Sequence, residues 1–113
     1  MCWTEGWDFW SDVPTVTRAL SAPGVTTLVA VVEGDVVGAV EVISDGAINW
    51  ILGALIVSPA YRGRGIGTAL VAEAFRRTGA QRLDLLTENG GPRFYRSLSG
   101  REMSGFRLYP REH

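Results

Sequence analysis

Two stretches of the chain alternate or cluster β-branched residues, and two others repeat their apolar positions every three or four residues. Thr26 to Glu33 and Val36 to Ile43 are of the first kind, and Gly34-Asp35 between them predicts a hairpin. Asp45-Gly46 marks a second turn. The continuous apolar run from Trp50 to Val57 predicts a third strand covered on both faces. Pro59 ends it. From Ile66 to Thr78 the period is helical: Leu70, Val71, Ala74 and Phe75 share a stripe, Glu73 and Arg77 stand i to i+4, and Gly79 follows as a C-cap. Ahead of the strands, Ser11 or Asp12 caps a helix bearing Val16, Ala19 and Leu20, stopped by Pro23-Gly24. Beyond the long helix, Leu83 to Leu86 reads as a short strand. Gly91-Pro92 opens a brief helix with Phe94, Tyr95 and Leu98 on its apolar side, and Phe106 to Tyr109 reads as a last strand. The expected order is helix-β-β-β-helix-β-helix-β. That is an α/β fold with a mixed sheet and helices on both faces, the third and fourth strands made parallel by a helical crossover.

A length of 113 residues suits one domain spanning 1–113, and 46% hydrophobic with 20% charged residues is ordinary for a packed core. The net charge of −1 and pI of about 5.8 give no electrostatic case for nucleic acid. Yet the arginines come in pairs (Arg62 and Arg64, Arg76 and Arg77, Arg93 and Arg96), which suits a small anionic ligand. Cys2 is the sole cysteine, so no internal disulfide forms. Glu5, Asp8 and Asp12 leave the start without the basic character of a signal peptide, and Ile51 to Val57 is too short to span a membrane. The expectation is a soluble, cytoplasmic protein.

The turn after the third strand carries the chemistry. Gly63, Gly65 and Gly67 permit φ > 0 and leave no side chain in a ligand's way. A helix beginning near Gly65 aims unpaired N–H groups and the positive end of its dipole at whatever lies above, an anion site that a diphosphate fits well. Arg62 and Arg64 add charge at the rim and Thr68 a hydroxyl. The spacing is not G-x-G-x-x-G, and no lysine-Ser/Thr pair follows as in a P-loop.

The run Leu55-Ile56-Val57-Ser58-Pro59-Ala60-Tyr61-Arg62-Gly63-Arg64-Gly65-Ile66-Gly67-Thr68-Ala69-Leu70 closely resembles the coenzyme A signature of the GNAT superfamily of N-acyltransferases. Asn89 and then Phe94-Tyr95-Arg96-Ser97-Leu98 resemble the family's second landmark. The resemblance runs from about Leu28 to Tyr109. It implies acetyl-CoA as cosubstrate, with no metal, and an N-acetyl transfer to an amine. Pantetheine would lie where the strand ending at Val57 splays from Leu83 to Leu86, bonded to the backbone of Leu55, Ile56 and Val57. Residues Arg62, Gly63, Arg64, Gly65, Ile66, Gly67 and Thr68 would hold the pyrophosphate, and Asn89 the pantetheine arm. By the same resemblance Tyr95 is the acid for the leaving thiolate.

Amide formation from a thioester needs a neutral amine, a stabilised oxyanion and a proton for the thiolate. A backbone N–H near Val57 can serve the oxyanion, and a phenol near pKa 10 suits the thiolate. Tyr95 is otherwise a core aromatic on a short helix. For the base, Ile51-Leu52-Gly53-Ala54 offers no carboxylate where many family members carry a glutamate. Glu41 on the preceding strand is the nearest candidate, with Asp45 and a water relay as alternatives. Neutralising a lysine-like amine at pH 7 costs about 4.6 kcal/mol. Holding the reactants in attack geometry returns roughly 7–11 kcal/mol. Positioning therefore outweighs deprotonation.

The resemblance implies a further strand and helix ahead of the helix expected after Asp12, for which the given sequence is expected to have almost no room. Leu98-Ser99-Gly100-Arg101 carries an extra residue before its glycine, and an arginine where the family has phenylalanine. Trp3, Trp7, Phe9 and Trp10 cluster in the first segment, to cover the sheet, to wall an amine site or to meet a second copy in a homodimer. The acceptor is expected to be a small-molecule or peptide amine, with neither nucleic acid nor membrane as partner. The alternative reading is a coenzyme A-binding or interaction module without turnover.

Overall fold

The computed structural model describes residues 13–87 and 91–110. The cluster Trp3, Trp7, Phe9 and Trp10, the caps Ser11 and Asp12, and Asn89 lie outside the described residues. Helix α1 (Val13–Ser21) leads into β1 (Val25–Val32), β2 (Asp35–Ser44) and β3 (Trp50–Val57), an antiparallel sheet in the order β1-β2-β3. A 3-10 turn at Pro59–Tyr61 precedes α2 (Ile66–Thr78), and α3 (Gly91–Ser97) follows.

The hairpin turn falls one residue earlier than its sequence suggests. Val32 pairs with Asp35, so Glu33-Gly34 forms the loop, with φ of 50° and 85°. Positive φ at both central residues gives the type I′ turn that matches strand twist; Gly34 adopts it freely, whereas Glu33 is a non-glycine residue in the left-handed region.

Helix α2 lies across the face formed by Val40, Val42 and Leu52. These pack with Leu70, Val71 and Ala74 as the buried core, all at 9% exposure or less. Each large aliphatic buried there contributes about 1.5–3 kcal/mol. Gly38 admits the helix: a Cβ at that position would stand 3.1 Å from both Ile66 Cγ2 and Leu70 Cδ1. Helix α1 packs on β1 from the other face. Thr27, paired with Glu41, donates its hydroxyl to the Leu20 carbonyl at 3.3 Å. Helices thus cover both faces, as expected.

Two expected strands differ. Leu83 to Leu86 contracts to one parallel bridge, Ile51 with Asp84, which keeps the arrangement mixed. Asp84 N donates to Trp50 O at 3.1 Å and Leu52 N to Asp84 O at 3.0 Å, and Leu83 and Leu85 pack on the core. Phe106 to Tyr109 is not a strand. Residues 101–109 are irregular and exposed, Phe106 at 88%, because 85–87 have left the sheet and offer no ladder to pair with.

Candidate functional site

Strand β3 is paired on both edges at its start and on one edge at its end. Ser58 N donates to Val37 O at 2.8 Å, so by antiparallel alternation Ile56 and Ala54 direct their backbone groups at β2. Leu55 and Val57 direct theirs away from β2. Beyond the bridge at Asp84 no strand meets that edge among the described residues. The result is a cleft edged by the backbone of Leu55 and Val57. Gly53 is the extra residue of a bulge in β3, since Glu41 pairs with Ala54 and Val42 with Leu52.

The cleft runs into the glycine turn. Gly63 and Gly65 have φ of 77° and 81°, and a Cβ on either would meet nothing within 4 Å. Both positions require glycine's backbone freedom, and both face open space. Gly65 is the N-cap of α2 and no side chain caps the helix, so its first-turn N–H groups point outward without a cap. Arg62 bends back to donate from Nε to Val57 O at 3.1 Å, tying the turn to the strand. The Arg64 guanidinium lies 5.0 Å from the Tyr61 ring centroid.

Gly67 has a different task from its neighbours. It is helical, and a Cβ there would stand 3.2 Å from Phe94 Cζ and 3.8 Å from Val57 Cγ2. Its bare Cα lets α3 approach the start of α2. Phe94 meets Tyr95 edge-to-face at 5.0 Å, and both pack on the core. The α3 helix closes through Tyr95 O, which accepts from Leu98 N at 3.1 Å and Gly100 N at 2.9 Å. A Cβ on Gly100 would sit 2.7 Å from that same oxygen. Tyr95 is half-buried, and desolvation pushes its phenol above the usual range.

Glu41 and Asp45 part company. Glu41 is 6% exposed on β2, has no hydrogen-bond or ion-pair partner among the described residues, and burial raises its carboxyl above the ordinary value. Asp45 Oδ1 accepts from Ile48 N and Ala47 N at 2.8 Å each and from Asn49 N at 3.1 Å, and Oδ2 accepts from Asn49 Nδ2 at 2.9 Å. These bonds hold its carboxyl far below the usual carboxylate range. It organises the loop, and so saturated a carboxylate is a poor base.

A cavity of about 410 Å³ opens at the other end of the sheet, among Thr26, Ser44, Trp50, Arg77 and Thr78. Its ionisable groups are engaged, Asp45 by its loop and Arg77 by Glu73 at 3.0 Å. The open backbone groups lie instead along the unmet edge of β3, at Leu55 and the Val57 N–H.

The family model described as an acetyltransferase (GNAT) domain matches residues 23–98. The chain belongs to the GNAT acetyltransferase family. No curated protein matches it. Among solved structures, a GNAT-family acetyltransferase from Streptococcus pneumoniae is 27% identical with a TM-score of 0.75, over 92% of this chain and 87% of that one. The aminoglycoside N-acetyltransferase AAC(6')-Iy in complex with CoA is 17% identical, TM-score 0.72, over 90% and 87%. The aminoglycoside 6'-N-acetyltransferase AAC(6')-IG from Acinetobacter haemolyticus is 17% identical, TM-score 0.70, over 90% and 83%. The GNAT fold is common to all three. None of the described helices is long and apolar enough to cross a membrane.

The structure brings Leu55, Val57 and the segment from Arg62 to Thr68 to one cleft, with α3 and Tyr95 anchored beside Gly67. Ile56 turns its backbone to β2. The bulge at Gly53 escaped the sequence reading, although a lone glycine in an apolar strand is its usual signal.

Proposed function

We propose that this GNAT domain transfers the acetyl group of acetyl-CoA to a small-molecule amine. One observation carries the proposal: the edge of β3 that no strand meets, with the Leu55 backbone and the Val57 N–H open, runs directly into the uncapped N-terminus of α2. A long ligand with an amide-bearing arm and a diphosphate head matches that sequence of donors and acceptors. The open space above Gly63 and Gly65 supports the fit, as does the CoA complex of AAC(6')-Iy.

In this reading the Leu55 backbone binds the pantetheine arm, while Arg62 holds the Val57 carbonyl and leaves the Val57 N–H open. The N–H groups of α2 hold the pyrophosphate, with Arg62, Arg64 and Thr68 at the rim and Asn89 on the arm. The thioester supplies the activated acyl group. The Val57 N–H polarises its carbonyl oxygen. Tyr95 gives its proton to the departing sulfur, and burial keeps the phenol protonated throughout the neutral range. Glu41 takes the amine's proton, its burial bringing it nearer the pH at which a base works best. The aminoglycoside acetyltransferases among the structural neighbours favour a small-molecule acceptor.

Calorimetry with acetyl-CoA, NAD and ATP tests the ligand, and thiol release with tyramine, spermidine, kanamycin and a lysine peptide tests the reaction. Binding of acetyl-CoA alone, followed by turnover, is expected. Preference for NAD or ATP would overturn the proposal, and acetyl-CoA binding without turnover would make the chain a binding module.

A further inference from the structure

Within an otherwise apolar strand, Gly53 sits at the bulge of β3, and its φ is not in the left-handed region, so its backbone does not demand glycine. What demands it is a side chain from the next strand. A Cβ at Gly53 would overlap Glu41 Oε1, stand 3.2 Å from Glu41 Cδ and 2.9 Å from Ile43 Cδ1. The Glu41 carboxylate therefore occupies the volume that any other residue at position 53 would fill.

We infer that Gly53 is a positioning residue, whose missing side chain lets Glu41 reach across from β2 and present one carboxylate on β3 beside the cleft. The inference rests on the acetyltransferase reading for its purpose and on geometry alone for the contact. Glu41 itself is 6% exposed whereas Gly53 is exposed, so the carboxylate lies against an open stretch of strand. Ile43 and Ile51, at 41% and 44% exposure, flank it as a register pair.

The electrostatic surroundings fit a carboxylate reserved for a visitor. Neither β1 (VTTLVAVV) nor β3 (WILGALIV) carries a titratable side chain. On α1 the only titratable residue is Arg18, which is exposed. Asp35 stands at the far end of β2, paired with Val32 beside the hairpin turn, and the Asp45 carboxylate is consumed by its own loop. With no cation to neutralise it, Glu41 would be costly in a purely structural role. An ammonium group arriving at Gly53 would be the first cation it meets among the described residues.

The bulge adds direction. An extra residue in β3 re-aims the side chains on either side of it. It also places Gly53 between Leu52, whose N–H bonds to Asp84, and Leu55, which borders the cleft. Glu41 thus stands where the two walls separate.

The experiment is carbon-13 NMR on protein labelled at glutamate side-chain carboxyls, with Glu41→Gln identifying the Glu41 signal. In the wild type the Glu41 titration midpoint should lie above the ordinary value of about 4.3. A nuclear Overhauser contact should link Glu41 Hγ to Gly53 Hα. In Gly53→Ala, and in Gly53→Ser, the midpoint should fall back to the ordinary range as the carboxylate is expelled, with acetyl-CoA affinity unchanged. An unshifted midpoint in the folded variants, or no contact in the wild type, overturns the inference. Loss of acetyl-CoA binding by the wild type would instead strike the acetyltransferase reading and leave the Gly53–Glu41 result intact.

Discussion

The ring of Phe94 rests on the bare Cα of Gly67, so close that a Cβ there would stand 3.2 Å from Cζ. The first turn of α2 and the helix bearing Tyr95 are therefore spaced by one missing methyl group. Gly67→Ala should be accommodated by a shift of a few tenths of an ångström. Gly67→Val should cost about 1–3 kcal/mol through overpacking and push α3 outward. Thermal denaturation would read the first effect, and a drop in kcat exceeding any change in acetyl-CoA affinity would read the second.

Gly65 separates backbone strain from occupancy. At φ 81° any side chain costs about 1–2 kcal/mol, while the space around it is open. Gly65→Ala should lose stability and keep acetyl-CoA binding. Gly65→Trp should lose both, because the indole fills the volume above the helix N-terminus. Equal calorimetric affinities for the two variants would place the pyrophosphate elsewhere.

Much of this arrangement is written plainly in the chain. The helix over Ile66–Thr78 and the strand over Trp50–Val57 follow from apolar periodicity closed by Gly79 and Pro59, signals that are local. The glycine turn is legible for the same reason. What is not legible depends on residues far apart in sequence. Gly67 reads as another ligand-facing glycine until Phe94 is seen against it, and Asp45 reads as a base until three amides are seen on its carboxylate. The strand expected at Phe106 to Tyr109 has the right alternation, but a strand needs a ladder: Gly105 lies against the Leu86 side chain, yet only Asp84 of that segment bridges to the sheet.

Glu41 should cost stability where it aids function. Burial raises its folded-state pKa, so the ionised form is disfavoured in the native protein. That penalty is complete above the raised pKa, shrinks as pH falls through it, and vanishes below the unfolded value of about 4.3. Glu41→Gln should therefore melt higher than wild type at pH 7 and alike at pH 4. Its kcat/KM should fall, and lose the plateau that a tuned base confers. A melting difference independent of pH would contradict the assignment.

Tyr95→Phe keeps the ring packing against Phe94 and removes the proton. A fall in kcat of about 10²-fold with little change in acetyl-CoA affinity is expected. Equal kcat values in the two proteins would leave Tyr95 as a core aromatic only.

Asp45 has the opposite sign from Glu41. Its pKa is depressed by the amides of Ile48, Ala47 and Asn49, so its stabilising effect is present above the ordinary value and is lost as pH falls toward the folded one. Asp45→Asn should speed hydrogen exchange at residues 47–49 and leave kcat unaltered. A loss of kcat without faster exchange would return Asp45 to the chemistry.

The far wall of the cleft hangs from the sheet by two hydrogen bonds, Asp84 N to Trp50 O and Leu52 N to Asp84 O. On either side of that bridge Leu83 and Leu85 pack on the core, so burial holds the neighbouring chain in place where the ladder is lost. Side chains secure the wall, and the backbone of β3 past Leu52 is left unclaimed on that edge by any ladder among the described residues.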